Sequence, residues 1–305
     1  MTGGVKGSSL FRILWGIFLL GLPALVFPSP VLPAELVSLS RTMKGKVFYY
    51  RVRKGDFLLK IRGRFGVPLS SLIRSNALKD PDRIMPGQRL VVDNRHIVPE
   101  WDENGILINI PQKMLFFFSR GSLVIAAPVA VGMSSWPTPT GPFRVVEKKV
   151  DPVWVVPVSI QKEMKRLGGR VRKKVLPGPD DPLGKYKLGL DLSGYGIHGT
   201  NAPSSIYGFT THGCIRLWPD DIEALFHKVP TGTRGEIIYT PILVESSAGG
   251  HVYLEIHPDV YHPGSDLAGV FDHWVDRHPE LRIDRAKARR ALLEEEGRPV
   301  DVTGP

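Results

Sequence analysis

Cys214 is the only cysteine in 305 residues, and it stands in the run THGCIR at 211–216, with His212 before it and Arg216 after it. A further histidine, His198, opens the stretch HGTNAPSSIYGFTTHGCIRL that ends at Leu217. Three chemistries suit these residue types: a zinc site, an inert buried thiol, or a nucleophile. His198, His212 and Cys214 are acceptable zinc donors by type. However, the stretch has no HExxH pattern and no carboxylate to orient a ligand histidine, so no metal and no cofactor are expected. The buried thiol has base rates on its side, since most free cysteines are inert. Against it, an imidazole and a guanidinium beside a thiol lower its pKa and favour the attacking thiolate. Alternation along an extended segment puts His212 and Cys214 on one side, within reach of a direct N···S hydrogen bond. Gly213 permits close backbone approach and leaves the Cys214 amide to face an incoming carbonyl oxygen. Together these residues describe an acyl-transfer nucleophile.

The surrounding chain says where that thiol works. Lys6 and Arg12 precede an apolar run over 13–27 that is interrupted by Gly21 and Pro23 and followed by a proline-rich exit. That order predicts a signal peptide or N-terminal membrane anchor over residues 1–34, with the protein exported to the periplasm or cell wall. The run is short for a membrane span. Two exits suit cleavage: Ala34, with bulky Leu32 upstream, and Ser38-Leu39-Ser40, with small residues at both key positions. A lone exported cysteine cannot pair within its own chain, so it is either buried or used. The net charge of +10 favours anionic partners, and outside the cytoplasm those are cell-wall or lipid anions rather than nucleic acid.

Residues 48–92 form a separate unit. Tyr49, Arg51 and Arg53 alternate with Tyr50 and Val52 as in a strand. Lys54-Gly55-Asp56 turns, with Asp56 placed to cap a helix carrying Leu58, Leu59, Ile61 and Phe65, and Gly66 closes that helix. A second helix is predicted over 70–76, and a strand over 89–92. This βααβ unit resembles the LysM domain, on the runs YRVRKGD, FGVPLSSLIRSN and MPGQRLVV. The resemblance implies peptidoglycan glycan binding by Gly55, Asp56 and Phe57 together with Ile84, Met85 and Pro86; a spacer is the alternative.

From Ile106 to Val146 short apolar runs broken by Pro111, Gly121 and Gly132 predict sheet strands. A basic stretch, KEMKRLGGRVRKK, follows. WPDDIEALFHKV reads as a helix with Pro219 at its first position and Asp220 and Asp221 in its first turn. Strands are predicted over 232–239 and 252–256, and residues 260–305 read as a partly helical tail.

The run IHGTNAPSSIYGFTTHGCIRL resembles the signature of the YkuD-type L,D-transpeptidase catalytic domain, and VGMSSWPTPTGPFRV, DPLGKYKLGL and YLEIHPD agree with it in order. Thr211 stands where serine is common, and the basic insert around 161–176 lengthens the loop before DPLG. The resemblance implies a multidomain protein: a mostly-β catalytic domain over 104–259, β-sandwich-like with short helices, joined to the small LysM domain. It implies that Cys214 attacks the third-residue diamino acid carbonyl of a peptidoglycan tetrapeptide stem and releases D-alanine. The acyl group then passes to an amine, forming a 3-3 cross-link or attaching a wall-anchored lipoprotein. His212 serves as base, with its other nitrogen held by a carbonyl such as that of Gly199. Gly213 and Cys214 supply oxyanion amides, while His198, Gly199, Thr211, Arg216 and Tyr195 contact substrate. An L,D-carboxypeptidase, another cysteine hydrolase of wall peptides, or a non-catalytic glycan-binding wall protein are the alternatives.

Overall fold

The computed structural model describes Met1, residues 36–101 and residues 103–305. The export segment expected over 1–34 lies outside the described residues, Met1 apart. Among the described residues no helix is long and apolar enough to cross a membrane.

The first strands are β1 (Val37–Ser40) and β2 (Met43–Lys44). β3 (Val47–Arg51) then leads through α1 (Leu58–Phe65) and α2 (Leu69–Ser75) to β4 (Arg89–Asp93), which pairs antiparallel with β3. The apolar positions of this βααβ unit, Val52, Leu58, Ile61, Val67, Leu72, Leu90 and Val92, are buried together in one small core. α1 closes at Gly66, whose φ of 66° is left-handed and whose amide donates to the Arg62 carbonyl. Asp56 does not cap α1: its carboxylate accepts from the Arg53 amide at 2.8 Å and the Tyr50 hydroxyl at 2.6 Å, so it shapes the turn instead. β5 (His96–Ile97) pairs back with β2.

The next strands are β6 (Gly105–Asn109), β7 (Met114–Ser119), β8 (Ser122–Gly132) and β9 (Gly141–Val150). A protruding flap follows, in which β10 (Trp154–Val155) and β11 (Lys174–Val175) pair antiparallel and carry α3 (Val158–Arg166) between them. The chain returns in β12 (Tyr186–Leu190), β13 (Gly196–His198), β14 (Phe209–Thr211), β15 (Ile215–Leu217), α4 (Pro219–Lys228) and β16 (Arg234–Ile238). β8 serves two sets of neighbours: its first part pairs with β7 and its end with β15 and β14. That double pairing closes the ring β8-β15-β13-β12-β9-β16-β6-β7, with β14 added at the end of β8. Ile106, Ile108, Leu115, Val129, Val145, Leu188, Ile197 and Ile215 share its core with Ile222 and Leu225 of α4. Pro219 opens α4 and Asp220 and Asp221 occupy its first turn, as its sequence predicts.

Four further elements build a second core: β17 (Ile242–Ser246), β18 (Val252–Ile256), α5 (Leu267–Asp276) and α6 (Arg285–Glu294). β1 joins β17 in parallel, and β19 (Val300–Asp301) pairs with β18. Residues 242–256, which the sequence reading joins to the catalytic domain, pack here with residues from 260–305. The cause is their inward-facing side chains: Ile242, Val244, Val252, Leu254 and Ile256 meet Phe271, Trp274 and Leu292 rather than the ring interior.

A buried carboxylate ties these bodies together. Glu255 of β18 accepts from His96 Nδ1 at 2.8 Å, the Ile97 amide at 2.6 Å, Gln112 Nε2 at 3.1 Å and His257 Nε2 at 2.8 Å. His96 Nε2 reaches the Gly66 carbonyl at the end of α1, also at 2.8 Å. Burial alone would raise the Glu255 carboxyl, but His96 and the bonds from both histidines hold it down to about 2. Beside it, α1 lies directly on residues 203–206. A Cβ at Gly63 would come within 3.0 Å of the Pro203 carbonyl oxygen, so this mid-helix glycine exists for close approach. Arg64 continues the contact, over the Trp218 ring and 3.3 Å from Asp220.

Candidate active site

The motif 211–216 spans the gap between β14 and β15. β14 ends at Thr211 and β15 begins at Ile215, so His212, Gly213 and Cys214 form the connecting turn. Gly213 has φ of 102°, and a Cβ there would sit 2.5 Å from the Tyr195 ring. Only glycine meets both demands, the left-handed backbone and the ring packed against it. The same backbone reversal ends the alternation expected from the sequence. His212 and Cys214 therefore do not share a direct N···S hydrogen bond; the thiol donates to the Gly194 carbonyl at 3.7 Å.

Two hydroxyls fix the turn. Thr211 Oγ1 donates to the Cys214 carbonyl at 2.6 Å and accepts from the Gly213 amide at 3.0 Å. Thr138 Oγ1 donates to the Gly213 carbonyl at 2.8 Å and accepts from the Gly132 amide at 2.9 Å. Tyr261 braces Thr138 in turn: its hydroxyl accepts from the Thr138 amide at 3.0 Å and donates to the Gly132 carbonyl at 2.7 Å. Two expectations change here. Thr211 is a buried turn staple rather than a substrate contact, because both sides of its hydroxyl are engaged within the turn. The Gly213 amide is committed to Thr211, which leaves the Cys214 amide as the open donor of the pair among the described residues.

Electrostatics at the sulfur run against the simplest expectation. Burial pushes the Cys214 thiol up, while the Gly196 amide and the charges of Lys187 and Arg216 pull it down without prevailing. The resting group is therefore a thiol. Arg216, on β15, has a buried Nε without a hydrogen-bond partner, and burial lowers its pKa.

His198 is not in an open groove. It is 3% exposed, its Nδ1 donates to the Gly199 carbonyl at 2.7 Å, and burial followed by the charge of Arg216 lowers its pKa to about 3. It is a neutral interior histidine. The Gly199 carbonyl is therefore taken by His198 and does not hold His212. His212 instead pairs through Nε2 with Glu163 Oε2 of the flap helix at 2.6 Å, and the Trp136 ring meets it edge-on at 5.1 Å. His198, His212 and Cys214 are not gathered as ligands; among the described residues no three His, Cys, Asp or Glu side chains are placed to hold a metal ion.

Sequence reading missed Glu163, Thr138 and Tyr261. Thr138 and Trp136 lie in the WPTPT run, which agrees with the family in order without showing what it supports. Glu163 stood inside a stretch read for its positive charge. Tyr261 comes from the far end of the chain, where no local pattern links it to the site.

On the LysM unit, the Gly87 amide donates to the Val52 carbonyl at 2.8 Å and the Val52 amide to the Gln88 carbonyl at 2.9 Å. These bonds set the 53–57 turn beside the 84–88 turn. Phe57 and Met85 stand exposed on the two turns, while the carboxylate of Asp56 faces inward to Tyr50 and Arg53.

A thiol in a glycine turn on a mixed β ring, joined to a βααβ unit, has known counterparts. Residues 103–239 match the YkuD L,D-transpeptidase catalytic domain, and residues 50–93 match the LysM domain. The chain is 30% identical over 249 residues to the "Probable L,D-transpeptidase ErfK/SrfK" of Salmonella typhimurium, covering 79% of this chain and 80% of the relative. It is 32% identical to the "Probable L,D-transpeptidase YcfS" of Escherichia coli, over 78% of this chain and 75% of that one. With "Probable L,D-transpeptidase YbiS" of Escherichia coli the identity is 34%, over 62% of each chain. This chain belongs to the YkuD-type L,D-transpeptidase family and carries a LysM domain.

Proposed function

We propose that the chain is a peptidoglycan L,D-transpeptidase with Cys214 as its nucleophile, working outside the cytoplasm. The observation that carries this is the position of Cys214: a half-buried thiol in a hydroxyl-stapled glycine turn, next to His212 and inside the segment that matches the family.

The thiol loses its proton to His212, and Sγ bonds to the third-residue diamino acid carbonyl of a tetrapeptide stem. The tetrahedral oxyanion faces the Cys214 amide. Collapse breaks the C–N bond to D-alanine, whose amine takes the proton from His212 and leaves a thioester. An acceptor amine, from a second stem or an anchored lipoprotein, attacks the thioester, and the sulfur leaves with a proton. Arg216 places a buried positive charge near the sulfur, which favours a negatively charged substrate group there. The LysM turns, through Gly55, Phe57 and Ile84 to Pro86, hold the glycan strand and raise the local stem concentration.

Intact-mass analysis after incubation with a disaccharide-tetrapeptide tests the first half-reaction. Wild type is expected to gain the acyl mass less D-alanine, and Cys214→Ala is expected to stay unmodified. An adduct that persists in Cys214→Ala, or none in wild type, refutes the proposal.

A further inference from the structure

We infer that Glu163, carried on the flap helix α3, is the positioning residue for His212, so that the nucleophile's base is oriented by the flap rather than by the ring. This rests on the transpeptidase reading of Cys214 and His212 and extends it to a residue outside the motif.

The geometry is specific. Glu163 Oε2 lies 2.6 Å from His212 Nε2, with the two side chains 24% and 27% exposed. Arg166 sits three residues on along α3, a ready partner for a helical carboxylate, and Lys162 and Lys165 flank it. Among the described residues none of these cations pairs with Glu163, which turns to the imidazole instead. Trp136 closes the other side of the ring, edge-on at 5.1 Å, so the imidazole is gripped between an indole and a carboxylate.

The chemistry follows from what a carboxylate can do. An ionised carboxylate only accepts hydrogen bonds, so His212 Nε2 must carry the proton, and Nδ1 is the unprotonated nitrogen. Nδ1 is then the acceptor for the Cys214 thiol proton and later returns that proton to the departing D-alanine amine. Glu163 is not itself protonated; it faces the imidazolium that forms and stabilises it. The Gly199 carbonyl, which could have set the ring, is already taken by His198. α3 buries none of its side chains completely, and Glu163 is the group through which it meets the imidazole.

Two measurements on the full chain test this. The tautomer is read by nitrogen-15 NMR of labelled histidine. His212 is expected to be the Nε2–H form in wild type and a mixture of tautomers in Glu163→Ala. The rate of Cys214 acylation by a disaccharide-tetrapeptide is expected to fall about 10- to 100-fold in Glu163→Ala, less than the loss seen when a buried orienting carboxylate is removed. Glu163→Asp, which keeps the charge, is expected to recover part of that rate. Acylation of Glu163→Ala at the wild-type rate or faster overturns the inference and makes the pair a resting contact. Absence of any adduct in wild type defeats the transpeptidase reading instead, and the tautomer still reports whether Glu163 sets the ring.

Discussion

The turn that carries Cys214 has two neighbours of opposite character. On one side α1 is pressed against residues 203–206, so closely that a Cβ at Gly63 would crowd the Pro203 carbonyl, and Arg64 reaches on to Trp218 and Asp220. Beneath it the Glu255 network joins Gly66, His96, Gln112 and His257 in one buried cluster. On the other side the flap helix α3 buries no side chain and meets the site through the Glu163–His212 pair. The first side fixes the approach of the chain into the motif; the second rests on far fewer buried side chains. The LysM unit is thus set at a fixed distance from the sulfur, while the element over His212 is the lightly packed one.

The largest expected effect comes from breaking the fixed side. Glu255→Ala strands the Ile97 amide and the side chains of Gln112 and His96 in the interior, and is expected to cost about 3–5 kcal/mol by analogy with broken buried pairs. A thermal melt would show it. Acid probes the same cluster without mutation. Burial lowers His257 from 6.5 to about 4, so its proton binds more readily when the chain unfolds, and stability falls as pH drops from about 6.5 towards 4. Glu255, depressed from 4.5 to about 2, adds a further loss below about pH 4.5. Melts from pH 8 to 3 should decline in that window in wild type; Glu255→Ala should lose the Glu255 share below about pH 4.5 but keep the His257 decline, because Glu255 is what raises His257 against burial.

A smaller effect is expected from Gly63→Leu. Overpacking between α1 and residues 203–206 typically costs about 1–3 kcal/mol. Because residues 203–206 lead into the catalytic turn, acylation is expected to slow several-fold along with the loss in melting temperature. Unchanged acylation would mean that the LysM contact supports the fold and not the site.

The smallest effect on stability should come from the flap. Replacing residues 158–173 with a Gly-Ser tether is expected to leave the melt within about 0.5 kcal/mol, as for other surface changes. Acylation should nevertheless fall as far as in Glu163→Ala. A large loss of stability would show that the flap is part of the packed body, and the contrast between the two sides would disappear.

Some of this was legible in the residues and some was not. The βααβ unit was, because period-2 and period-3.6 patterns follow each other there with Gly66 as punctuation. Pro219 and the two aspartates announced α4 in the same local way. The neighbourhood of Cys214 was legible as composition but not as geometry. Alternation was extrapolated through Gly213, where the left-handed backbone breaks it, and Thr211 and Gly213 then spend their polar groups on each other. Charge proximity suggested a lowered thiol, but burial outweighs Lys187 and Arg216. Glu163 and Tyr261 reach the site from distant segments, and that information lies in tertiary packing. The second core was hidden for the same reason: it is assembled from residues 37–40 and 242–302.

That second core also reaches back to the first described strand. Val37 is buried against β17, and Ser40 Oγ donates to the Val98 carbonyl at 2.5 Å. Cutting after Ser40, one of the two exits that the small residues suggest, would remove a parallel strand and open a hydrophobic edge. Only a cut before Leu36 leaves this strand, and the core it covers, intact.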